Sequence, residues 1–202
     1  MSTWVKVCGL RTVEDVEVAV ESGADAVGLM LAESPRRISI EQATDLARAA
    51  GTVDSVLVIA DLEVQEAREA VERTGASGVQ PYGAHAGSIA RWGIEQGLLV
   101  LHPIAVGAES IGAVRVETGA IPLLDTASPF RRGGGGRTFD WNLTRDYPIP
   151  FVLAGGLKPE NIRRAVQETE AWGVDASSGL ESSLGTKDHQ KIRAFIEGAK
   201  RP

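Results

Sequence analysis

The chain has 202 residues, 43% hydrophobic and 24% charged, a balance that suits one globular domain with a sizeable core. Its net charge of −6 disfavours a nucleic-acid or anionic-membrane partner, since both need a basic footprint, although helix N-termini and backbone amides can still hold a small anion. A lone Cys8 excludes an internal disulfide, and His85, His102 and His189 are too scattered for metal-ligand spacing, so no metal site is expected. The N-terminus carries no basic leader with a cleavable apolar stretch, and no segment approaches the ~20 apolar residues of a membrane span, so a cytoplasmic protein is expected.

Short runs rich in Val, Ile and Leu alternate with segments of helical periodicity. The first strand is predicted at Trp4–Cys8, followed by a capping box at Thr12 and Asp15 that opens a helix over Val13–Glu21, stopped by Gly23. A strand at Ala26–Leu31 leads to a second capping box, Ser39 and Gln42, and a helix stopped by Gly51. Strands follow at Ser55–Ile59 and, after a helix stopped by Gly75, at Gly78–Gln80. The remaining strands are Leu99–Ile104, Ile121–Asp125, Phe151–Ala154 and Val174–Ala176, with Gly173 read as another helix stop and helical stretches between strands. Eight units of about 25 residues predict a single α/β domain over 1–202, a (βα)8 TIM barrel. An open doubly wound sheet is the rival, disfavoured because the first turn, Cys8-Gly9-Leu10-Arg11-Thr12, lacks the G-x-G-x-x-G phosphate fingerprint.

In a barrel, reactive groups stand where strands end. Cys8 closes the first strand and Asp125 the sixth, a thiol and a carboxyl that make a candidate base and acid across the barrel mouth. Taken alone, Cys8 reads more readily as a buried small hydrophobe, and Asp125 as readily as a cap or loop acid; the place of Cys8 at the rim, just before Gly9, favours the functional reading. Gly155 and Gly156 after strand seven, with Ser177, Ser178 and Gly179 after strand eight, form a candidate phosphate cradle, and the second of these loops is expected to enter a helix. The run Gly133 to Gly136, including Gly134, is flanked by Arg131, Arg132 and Arg137 and reads as an active-site loop that orders over an anionic ligand. Arg36 and Arg37 put guanidinium groups at the same rim, suited to a planar carboxylate. Lys6 lies two residues before Cys8, on the same face of the strand, where its charge favours a thiolate.

Lys6-Val7-Cys8-Gly9, Ala32 to Arg36, Val79-Gln80, Asp125, Arg137 to Trp141, Leu153 to Leu157 with Pro159-Glu160-Asn161, and Asp175 to Glu181 occur in the order and spacing of a known pattern. From residue 5 to about residue 196 the chain resembles the phosphoribosylanthranilate isomerases of tryptophan biosynthesis. The resemblance implies a cofactor-independent Amadori rearrangement of N-(5-phosphoribosyl)anthranilate, an aldose-ketose isomerisation. Asp125 would protonate the ring oxygen and open the furanose to a Schiff base, and Cys8 would remove the C2 proton to give an enolamine. Arg36 would meet the anthranilate carboxylate, Gln80 would join the binding set, and Gly156, Ser178 and neighbouring amides would hold the phosphate. The partner expected is thus a small phosphorylated sugar, and the chain a monomer or homodimer.

Several positions depart from the family pattern. Val79-Gln80-Pro81-Tyr82-Gly83 stands where Val-Gln-Leu-His-Gly is usual, Val58-Ile59-Ala60-Asp61 replaces a Val-Phe-Val run, and Gly135 and Arg137 replace a threonine and a lysine. His102 and Ala105 take the place of Lys and Arg around strand five. The reading places these changes in the middle of the pocket. Two other functions therefore fit the same chain: isomerisation of a related amino-sugar phosphate, and non-catalytic binding of a phosphorylated metabolite. A histidine-pathway barrel isomerase fits less well, because it has an aspartate where this chain has Cys8.

Overall fold

The computed structural model describes residues 2–107, 110–111, 116–126 and 138–201. Eight parallel strands close on one another in chain order. They are β1 (Trp4–Cys8), β2 (Ala26–Met30), β3 (Asp54–Ala60), β4 (Gly78–Tyr82), β5 (Leu99–Val106), β6 (Ile121–Thr126), β7 (Val152–Leu153) and β8 (Gly173–Ala176). The seam is made where β1 pairs with β8, Lys6 opposite Asp175 and Val7 opposite Ala176. The eight strands agree with those predicted, their ends shifting by at most two residues.

Six α-helices are described: α1 (Val13–Glu21), α2 (Ile40–Ala50), α3 (Val64–Thr74), α4 (Ala86–Glu95), α5 (Ile162–Thr169) and α6 (His189–Lys200). Both predicted capping boxes form. Thr12 Oγ1 accepts from the Asp15 amide while Asp15 reaches back, and Ser39 and Gln42 do the same for α2, satisfying amides that have no partner within the helix. As expected, α-helices follow β1 to β4, β7 and β8; among the described residues the connection from β6 to β7 contains a 3-10 turn over Trp141–Thr144.

Gly173 is also corrected. It opens β8, while α5 ends on Glu170 in the left-handed region with φ of 50°. Trp4 explains why the position is glycine: a methyl group there would lie 2.8 Å from the Trp4 ring, which itself stacks on Trp172 at 5.2 Å. Strand β8 leads into a three-residue 3-10 turn over Ser178–Leu180, shorter than the helix expected there. The hairpin of β9 (Glu181–Ser183) and β10 (Thr186–Lys187) follows before α6.

The alternation of strand side chains divides the interior in two. Val5, Val7, Leu29, Leu57, Val79, Leu153 and Val174 belong to the large cluster that includes the apolar residues of the helices, such as Phe195 and Ile196 of α6. Ala26, Val56, Leu101, Leu123, Val152 and Ala154 form a separate small cluster that fills the barrel itself. Lys6, Gln80 and Asp175 make a buried polar layer in the same barrel, linked by hydrogen bonds from β1 to β4 and β8.

Candidate active site

The strand ends converge on one pocket. It is lined by Cys8, Met30, Ser34, Arg36, Val58, Gln80, Tyr82, Asp125, the stretch Ala154 to Leu157 and the stretch Asp175 to Ser178. Of the residues singled out from the sequence, Cys8, Arg36, Gln80, Asp125, Gly155, Gly156, Ser177 and Ser178 are brought together there. Lys6 is fully buried and outside the lining, and acts on the pocket through its neighbours. Gly179 is also outside it; a methyl group at that position would strike the Leu157 carbonyl, so glycine lets the last two loops pack against each other. Gly134 and Arg137, with the rest of the glycine loop, lie outside the described residues.

Cys8 is 4% exposed and carries the free thiol. Burial pushes its pKa above the ordinary 9.0; the Lys6 ammonium opposes that shift, Asp175 adds to it, and Lys187 opposes it. Room for the sulfur comes from across the sheet: Gly28, paired with Cys8 in register, would put a methyl group 2.6 Å from Sγ. Lys6 itself donates to Asp175 Oδ1 at 3.0 Å and Gln80 Oε1 at 2.9 Å. Burial disfavours its charge, but Asp175 and Cys8 outweigh burial and hold its pKa above the usual value, so the ammonium persists.

The other titrating group is shifted upward too. Burial, reinforced by the Asp175 carboxylate, raises Asp125 to about 6, against smaller opposing effects of the Thr126 backbone and Lys6. Asp125 is therefore a carboxyl that keeps its proton well above the ordinary range while bordering the same pocket as a thiol whose charge is supported by a lysine. Such a pair can donate a proton to one atom of a ligand and take one from another.

Arg36 is held by a carboxylate from the hairpin after β8. Its Nε and Nη2 both donate to Glu181, the latter at 3.0 Å, and Glu181 also accepts from Lys187 Nζ at 3.4 Å and the Gly185 amide at 3.2 Å. These bonds outweigh burial and keep the Glu181 pKa low. Gripped along one edge, the guanidinium has a fixed orientation at the pocket wall.

The loops read as a phosphate cradle complete the lining, Ser177 close beside Arg36. Gly155 and Gly156 take φ of 87° and 66°, open to glycine without strain, and Asn161 fastens the loop by donating to the Gly156 carbonyl at 3.0 Å and accepting from the Lys158 amide at 2.8 Å. The Ser177 hydroxyl is buried without a hydrogen-bond partner among the described residues, a donor left for a ligand.

Sequence reasoning missed Gly28, Glu181 and Lys187 as parts of this site. Pairing of β1 with β2 was the signal available for Gly28, and the matched stretch Asp175 to Glu181 was the signal for Glu181; the hairpin that brings Lys187 to it had none. The reading that His102 alters the pocket is corrected: it is absent from the lining and lies on the opposite face of β5 from Leu101, which fills the barrel. Ala105 pairs in register with Asp125 and so shares its face of the sheet, and Val58 and Tyr82 are in the pocket wall.

A family model for N-(5'-phosphoribosyl)anthranilate isomerase matches residues 5–198. The chain belongs to that family. A Myxococcus xanthus N-(5'-phosphoribosyl)anthranilate isomerase is 37% identical over 99% of this chain and 97% of the relative, and a Listeria welshimeri one is 36% identical over 97% and 98%. The Thermotoga maritima phosphoribosyl anthranilate isomerase structure superposes with a TM-score of 0.83 at 34% identity, covering 98% of each chain. A further family structure, in complex with reduced 1-(o-carboxyphenylamino)-1-deoxyribulose 5-phosphate, matches with a TM-score of 0.80 at 32% identity over 98% of each chain. No described helix of the isomerase is long and apolar enough to cross a membrane.

Proposed function

We propose that this isomerase converts N-(5-phosphoribosyl)anthranilate to 1-(2-carboxyphenylamino)-1-deoxyribulose 5-phosphate with Asp125 as general acid and Cys8 as general base. The observation that carries the reading is one pocket holding a carboxyl whose pKa is raised to about 6, a thiol near a buried lysine, an oriented arginine and a glycine-serine cradle. Asp125 gives its proton to the furanose ring oxygen as the C1–O bond breaks and the nitrogen lone pair forms the Schiff base. The Cys8 thiolate then takes the C2 proton, and the electron pair of that C–H bond flows through C1 to nitrogen, leaving an enolamine that tautomerises to the ketose. No electrons leave the substrate, so the isomerisation balances without an external oxidant or reductant.

Arg36 meets the anthranilate carboxylate, and Gly155, Gly156, Ser177 and Ser178 receive the phosphate. Gln80 serves as a positioning residue, because both ends of its amide are taken by Lys6 and Tyr82. The chain works as a single domain in the cytoplasm, as a monomer or homodimer. Loss of substrate fluorescence on adding the purified protein tests the reaction. Rapid decay in the wild type, with almost none in Cys8→Ala and Asp125→Asn, is expected. Full activity in either variant removes that residue from the chemistry.

A further inference from the structure

Tyr82 ends β4, two residues after Gln80 and therefore on the same face of the strand. The chain of bonds leading to it has a direction. Lys6 has donors and no acceptor, so the side-chain atom of Gln80 that meets it at 2.9 Å must be the carbonyl oxygen. Its NH2 group then points the other way and donates to Tyr82 Oη at 2.9 Å. A phenolic oxygen that accepts this bond retains one proton to give. Burial, with the Asp125 charge, pushes the phenol pKa well above its ordinary 10.0, so that proton stays in place at any physiological pH. Among the described residues no acceptor takes it, and the side chain borders the ligand pocket together with Asp125 and Cys8.

We propose that Tyr82 is a substrate-binding residue, its hydroxyl fixed by Asp175, Lys6 and Gln80 as an obligate hydrogen-bond donor to an oxygen of the bound aminopentose phosphate. The inference deepens the function proposed above and rests on it for the identity of the ligand. Replacing Gln80 by glutamate reverses the direction of the relay. A carboxylate accepts from both Lys6 and Tyr82, so the phenol proton turns inward and the ligand loses its donor.

Steady-state kinetics and the affinity for reduced 1-(o-carboxyphenylamino)-1-deoxyribulose 5-phosphate, measured on wild type, Tyr82→Phe, Gln80→Glu and the double variant, test this. Tyr82→Phe removes one oxygen and is expected to raise KM and weaken analogue binding about tenfold, with kcat within about twofold. Gln80→Glu is expected to weaken analogue binding by a similar factor, and Tyr82→Phe on that background to change it by less than about twofold. Unchanged analogue affinity in Tyr82→Phe, or additive losses in the double variant, overturns the assignment. A fall in kcat with KM intact also overturns it, because the hydroxyl then acts on Asp125. Wild-type turnover keeps the two proposals apart: an inert wild type refutes the reaction, while the analogue affinities still decide on Tyr82.

Discussion

Removing the proton of Asp125 should change the shape of the pH profile as well as its height. The proposed mechanism needs Asp125 protonated and Cys8 ionised, yet the acid titrates at about 6 and the thiol above its ordinary 9.0. The thiol therefore titrates well above the acid, so only a small minority of free enzyme molecules hold both groups in their working forms. Between the two pKa values the thiolate fraction rises tenfold per unit while the protonated-acid fraction falls tenfold, and their product is constant. The wild-type kcat/KM, which reports the free enzyme, should therefore climb to about pH 6, run flat through neutrality and fall only above the thiol pKa. In Asp125→Asn the falling factor is gone. Its residual kcat/KM, lower by about 10²- to 10⁴-fold, should keep rising tenfold per unit across the region where the wild type is flat. Fluorescence-decay assays from pH 5 to about pH 9 read this directly. A flat profile above pH 6 in the variant refutes the reasoning, since it would mean that the limb at 6 belongs to the base.

Other parts of the site give further expectations. Lys6→Met removes the cation that offsets burial of the thiol, and should shift the alkaline limb upward while lowering the plateau about tenfold or more; an unmoved limb would show that Cys8 does not feel Lys6. Gly155→Ala would place a methyl group 2.9 Å from Asp125 Oδ1 and at a φ of 87°, so kcat should fall at least about tenfold, and wild-type kcat would contradict the close approach. Glu181→Gln weakens the grip on Arg36 and should raise KM about tenfold with a smaller effect on kcat, measured by steady-state kinetics. Phe195→Ala empties a fully buried site beneath α6 and should cost about 4 kcal/mol in urea unfolding; a loss below about 1 kcal/mol would contradict the packing.

The barrel is legible in the sequence because its signals are local. Two capping boxes and eight short apolar runs locate elements through forces that act within a few residues. Gly173 misleads because a glycine before a strand looks like a helix stop, whereas its actual constraint is the Trp4 ring from the opposite end of the chain. The site divides in the same way. Cys8, Asp125 and the glycine loops stand at strand ends that the apolar runs reveal, while Glu181 serves Arg36 from 145 residues away and no periodicity reports that contact. His102 looks like a pocket residue until its strand is placed, since a neighbour in sequence on a β-strand faces the other way.

The bond between Lys6 and Asp175 joins residues 169 apart, one in the first strand to be synthesised and one in the last strand of the barrel. A nascent chain that has released seven strands still has an open seam, with the Lys6 ammonium missing its carboxylate and Arg36 missing its hairpin partner. The electrostatic support of the thiol is thus assembled by the same event that seals the cylinder, and fragments ending before residue 175 are expected to be inert however well their helices form. Onset of turnover during refolding is consequently a timer for ring closure, readable without any probe attached to the protein.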